Sequence, residues 1–167
     1  MIALARHLDT GDADVMRVPL VSASAADLLG AVSATAYMAL MIGLFLARLA
    51  ERPDVERWLG LVSLLVVVPI AVLFVVGLHS QRPLVYFVWL GLFLAWEVAE
   101  LLLDYVLNVN FRHVRWAVIP YVMFFFAATG GLLGLATQAG KPWLYAALVL
   151  YFSMAALAFV QRAKTGL

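Results

Sequence analysis

Along its length the chain alternates long apolar runs with short polar punctuation. A helix needs roughly 20 apolar residues to cross about 30 Å of hydrocarbon. Five runs meet that requirement, at about 26–47, 58–78, 84–107, 116–138 and 143–161. The connections between them are only a few residues long, so sequential spans must be neighbours of opposite direction. The pattern predicts an all-α polytopic membrane protein: five transmembrane helices in an antiparallel up-down bundle, one domain over 21–167. Residues 1–20 form an extramembrane tail in this reading.

The punctuation supports these limits. Ser24, with Asp27 three residues on, reads as a variant capping box in front of the first span, Asp27 being favoured at the positive helix end. Pro83 and Pro142 fall at helix starts, where a missing N–H is harmless. Trp58, Trp116 and Trp143 fall at span ends, the level an amphipathic ring prefers. Pro69 interrupts the second span and predicts a kink there, with a carbonyl released from the helix ladder.

Composition excludes the other broad classes. Hydrophobic residues make up 66% of the 167 positions and charged residues 13%, against about 25% charged in a soluble domain. Too few charges remain for a polar skin. Eleven Lys and Arg against ten Asp and Glu leave +1, with no basic cluster of the kind nucleic acid requires. The chain has no Cys, which excludes thiolate metal sites and cysteine nucleophiles. Met1–Leu8 is too short for a signal peptide and runs into Asp9, Asp12 and Asp14. Ile2 excludes N-myristoylation.

Lys and Arg in the loops predict orientation. The amino-terminal side carries Arg6, Arg17, Arg82 and Lys141. The other carries Arg48, Arg52, Arg57, Arg112, Arg115, Arg162 and Lys164. The more basic side belongs in the cytoplasm, so the N-terminus is expected outside and the C-terminus inside.

The third span carries the unusual chemistry. Glu97, Glu100 and Asp104 follow i, i+3, i+7 spacing and share one face of an α-helix, as a ladder about 10 Å long. Phe93 and Asn108 extend the stripe. A charged side chain at mid-bilayer costs at least ~2.5–3.5 kcal/mol, so these acids are expected to face protein or water. No Lys or Arg lies inside any of the five spans. Arg48, Arg52, Arg112 and Arg115 at one border can bend toward Asp104 and Glu100, but not as far as Glu97. Three options follow for Glu97: it is protonated, it holds an exchangeable cation, or it meets a charge on another chain. The plainer alternative is a protonated pair hydrogen-bonded to neighbouring helices, with Tyr37, Thr129, Tyr151 and Ser153 as candidate partners. Asp104 by itself reads as an interfacial residue paired with arginine. The spacing lacks the nearby His of a di-iron carboxylate bundle, so no metal and no cofactor is expected. Trp96, Asn108 and Arg112 complete the candidate supporting set.

Weaker signals have bland readings. Gly130 and Gly134 form a GxxxG pattern, and Ala26, Gly30 and Ala34 a small-residue face. Either serves packing within the chain or a homo-oligomer interface. Trp89, Phe93 and Trp96 serve helix packing, or line a cavity near the acids. No P-loop, nucleophile elbow or zincin motif occurs. Three functions compete. One is a proton- or cation-handling transporter or channel, with Glu97 as the protonation site, Glu100 as relay and Asp104 at the mouth. Another is a membrane enzyme or binder for a lipophilic molecule of isoprenoid, sterol or lipid type, with Glu97 as general acid. The last is an accessory subunit whose acids bind a partner's basic residues. Whether chemistry occurs at all is left open.

Overall fold

The structure is a computed structural model that describes residues 20–107 and 115–165. Among the described residues it is entirely helical, without strands. Its elements are α1 (Leu20–Leu49), α2 (Pro53–Leu64), α3 (Val67–His79), α4 (Leu84–Glu100), α5 (Arg115–Gln138) and α6 (Lys141–Thr165), with a π-helical turn (Leu101–Val106) continuing α4. Five stretches are long and apolar enough to cross a membrane: Ala25–Leu49, Pro53–His79, Leu84–Leu103, Trp116–Gln138 and Lys141–Lys164. These match the five expected spans, with ends shifted by a few residues. The second is longer because α2 begins at Pro53, a residue suited to the first helical position. The tail expected over residues 1–20 lies, but for Leu20, outside the described residues.

One expected helix start is corrected. Helix α1 already runs from Leu20, so Ser24 and Asp27 do not cap it. Asp27 lies a further turn in, and its carboxylate accepts from the Arg82 Nη2 at 2.7 Å. The pair is mostly buried, with 15% and 18% of the two side chains exposed. Local backbone geometry aims Arg82 at it. The N–H of Arg82 bonds the carbonyl of Gly77, and Gln81 adopts a left-handed φ of 49°. This arrangement closes a helix and turns the chain back on itself. The Arg82 guanidinium also lies 5.5 Å from the Tyr86 ring centre, a cation–π distance. The same closure recurs at the end of α1, where Arg52 N–H bonds the Ala47 carbonyl and Glu51 has φ 54°.

The predicted break in the second span is present. Between α2 and α3 the chain makes tight i→i−3 bonds, from Leu65 N–H to Val62 and from Val66 N–H to Ser63. Pro69 has no N–H to give the Leu65 carbonyl four residues back. That carbonyl is taken instead by Val68 N–H at 3.2 Å, so it is not released for a ligand.

Helix α1 organises the interior. It packs against α2, α3, α5 and α6, while α4 is held mainly by α3 and α5. Its buried positions include Ala31, Ala34, Met38, Met41 and Leu44, spaced three or four apart so that they form one stripe. Helix α6 gives the core little beyond Ala147 and Met154, two turns apart, while Val149, Phe152 and Phe159 face outward. Trp58 and Trp116, at the ends of their spans, are 69% and 83% exposed. An exterior this apolar suits hydrocarbon solvent rather than water.

The small residues are used inside the chain. A Cβ on Gly134 would stand 2.5 Å from the Trp89 ring, and one on Gly131 3.2 Å from the Trp89 Cα. The close approach of α4 to α5 therefore uses Gly131 and Gly134. Gly130, the other half of the GxxxG pattern, meets only the Tyr151 hydroxyl, at 3.9 Å. On the first span, Gly30 meets Leu73 and Leu135 at ordinary contact distance.

Candidate functional site

The site grows from the C-terminal half of α4. Trp96 and Glu97 are adjacent, so their side chains leave the helix about 100° apart. Both are nevertheless buried, Glu97 to 3% exposure, because α4 presses into the angle between α1 and α5. Helix α1 supplies Tyr37, which is fully buried. The Trp96 indole N–H donates to the Tyr37 hydroxyl at 3.1 Å. The Tyr37 hydroxyl, accepting from Trp96, lies close enough to the Glu97 carboxyl group to act on it electrostatically. The group set beside Glu97 is thus a neutral hydroxyl. Among the described residues no Lys or Arg forms an ion pair with it.

Aromatic rings fix this arrangement. Phe93 meets Tyr37 edge to face, with centres 4.8 Å apart. Trp96 packs on Tyr121, Phe125 and Phe124 at 4.7, 5.2 and 5.7 Å. Such contacts add about 0.5–1.5 kcal/mol each beyond burial. Rings this closely held leave the Tyr37 hydroxyl little freedom to turn away from the acid. Of the three consecutive phenylalanines on α5, Phe125 is buried and Phe124 and Phe126 are half-buried, so none is wholly turned outward.

Glu100, one turn beyond Glu97, is half-buried. It is near enough to Glu97 and Tyr37 to act on both electrostatically. It lines a cavity of about 80 Å³ between α1, α4 and α5, together with Met41, Leu44, Arg48, Trp96 and Tyr121. Trp96 forms part of the inner wall, on the side toward Tyr37. Arg48 stands at the outer end of α1, and its Nε donates to Glu56 Oε1 at 2.7 Å. Arg48, one of the four arginines expected to bend toward the third-span acids, thus pairs with Glu56 while lining the same cavity as Glu100. The short turn at Glu51 brings the first turn of α2 within its reach, and Glu56 is the nearer acid.

The remaining candidates separate. Ser153 is exposed, and its hydroxyl bonds the Val149 carbonyl of its own helix. Thr129 is buried, but it bonds the Phe125 carbonyl. The Tyr151 hydroxyl donates to the Phe126 carbonyl at 3.4 Å. Thr129 and Ser153 thus bond the carbonyl one turn back in their own helices, Tyr151 bonds α5 across the helix contact, and none of the three is hydrogen-bonded to Glu97. Of the expected supporting set, Tyr37 and Trp96 are the members among the described residues that lie beside the acid. Beyond Glu100 the π-helical turn, sealed by Leu107 N–H to the Leu102 carbonyl, interrupts the α-helical spacing on which the third rung was reckoned. The Asp104 side chain, Asn108 and Arg112 lie outside the described residues. No group of three His, Cys, Asp or Glu suited to a metal occurs among the described residues.

Sequence reasoning missed the cavity, because Met41, Tyr121 and Phe125 carry no signal of their own. The Asp27–Arg82 pair had one: both are isolated charges that the loop order places at the same border. No family, curated protein or solved structure matches this chain.

Proposed function

We propose that this protein is an integral membrane protein that handles protons, crossing the bilayer five times in alternating directions with its N-terminus outside. One observation carries the reading: Glu97 is buried about two-thirds of the way along an apolar stretch, beside a neutral hydroxyl and without a cation paired to it among the described residues, with a second carboxyl group one turn away at a cavity. An acid so placed is expensive to keep charged and is the kind of group through which protons move. Glu100 exchanges protons with the cavity, Glu97 receives them, and the Tyr37 hydroxyl stands beside the Glu97 carboxyl group in either state. The volume supports a proton over a lipophilic substrate. Pockets for drug-sized molecules span roughly 300–1,000 Å³, several times the cavity beside Glu100.

The test is proton flux in liposomes holding the purified protein and a pH-sensitive dye. Glu97→Gln keeps the shape and a polar end beside Tyr37 but cannot carry a proton. Flux should fall to that of empty liposomes. Wild-type flux in that variant eliminates Glu97 as the carrier. A lipid-like molecule bound against Glu97 in the purified protein would instead favour the enzyme or binder reading.

A further inference from the structure

We infer that the cavity between α1, α4 and α5 is filled with water, and that Trp96 bounds it on the side toward Glu97, so that Glu100 meets water and Glu97 lies behind it. The inference rests on the proton-handling reading for its role, though not for its existence. A cavity stays dry when its wall is wholly apolar and holds water when polar groups line a sufficient space. This one has both requirements. Its volume of about 80 Å³ takes several water molecules. Its wall includes Arg48 and Glu100, residues whose charged groups bond water. Arg48 keeps about a quarter of its side chain exposed, so the cavity meets the surface at that end.

The other end is closed. Past Trp96 come Tyr37, Phe93, Leu90 and Ala34, all fully buried. The Trp96 indole is pinned by its bond to Tyr37 and by three rings of α5. Water can therefore stand against Glu100, while Glu97 lies one side chain further in. A proton can reach Glu97 from this side without a continuous pore.

The chain contains no Cys, so single cysteines can be read without background. Four variants in lipid nanodiscs are treated with the charged thiol reagent 2-aminoethyl methanethiosulfonate, and modification is followed by intact mass. Met41→Cys and Leu44→Cys line the cavity. Ala34→Cys lies on the same helix beyond Tyr37, and Phe152→Cys faces outward on α6. Only a thiol in contact with water ionises and reacts readily, so the two lining positions should react at least about tenfold faster than the other two. Lining positions as slow as the controls would mean a dry cavity and overturn the inference. Fast reaction at Ala34→Cys would remove Trp96 as the barrier and overturn it too. The flux assay separates this from the function. Fast labelling of the lining positions together with wild-type flux in Glu97→Gln leaves the wet cavity standing and removes the proton reading. Slow labelling with flux lost in Glu97→Gln does the reverse.

Discussion

At Tyr37 one hydroxyl stands between two neighbours, accepting from the Trp96 indole and lying beside Glu97. Tyr37→Phe keeps the ring against Phe93 but leaves the buried Trp96 N–H short of its partner. Unfolding in mixed micelles should show a loss of about 1 kcal/mol, in the range of hydrogen bonds between helices in membranes. No loss would mean that the indole N–H finds another partner. A contrasting case is Glu51, exposed, at φ 54°. A side chain in that conformation is strained by about 1 kcal/mol relative to glycine. Glu51→Gly should therefore raise stability by a comparable amount, read in the same unfolding experiment.

Between elements, the contact of α4 with α5 depends on the absence of two side chains. The Trp89 ring occupies the space that a Cβ on Gly134 would need, and an indole wedged between helices cannot rotate away freely. Gly134→Ala should lower stability by about 1–3 kcal/mol, the usual penalty of overpacking. Gly130→Ala, with nothing nearer than the Tyr151 hydroxyl, should be neutral or slightly stabilising, because alanine is the better helix former. Equal effects at the two positions would contradict this packing. The comparison also separates close approach inside the chain from the glycine pattern of a helix dimer, which would implicate Gly130.

Across the whole molecule, one mostly buried ion pair ties the start of α1 to the turn between α3 and α4. Asp27 and Arg82 are 55 residues apart, and their bond joins segments that nothing else polar connects among the described residues. A double-mutant cycle with Asp27→Asn and Arg82→Gln should give a coupling of about 1 kcal/mol, at the upper end for exposed pairs because both groups are largely shielded. Zero coupling would mean that the pair only solvates its own ends. The outward faces of α2, α3 and α6 bear on the membrane assignment. Their valines, leucines and phenylalanines have no protein to cover them, so the expressed chain should stay with membranes through an alkaline carbonate wash.

Hydrophobic run length by itself determined the helical class, the five spans and the breaks at Pro69 and Pro83, because a bilayer-length helix must satisfy its own backbone and leave its side chains apolar. The same reading singled out Glu97, since a carboxyl group in such a run is conspicuous without coordinates. What it could not supply was the neighbour. Tyr37, Thr129, Tyr151 and Ser153 were equivalent as hydroxyls at similar depth, and only the rotation of each helix about its axis decided among them. That rotation is set by packing, through the small residues under Trp89 and the aromatic rings around Trp96, and it turns Tyr37 inward and Ser153 outward. The choice of Glu56 by Arg48, and the cavity left beside Glu100, follow in the same way from how three helices meet.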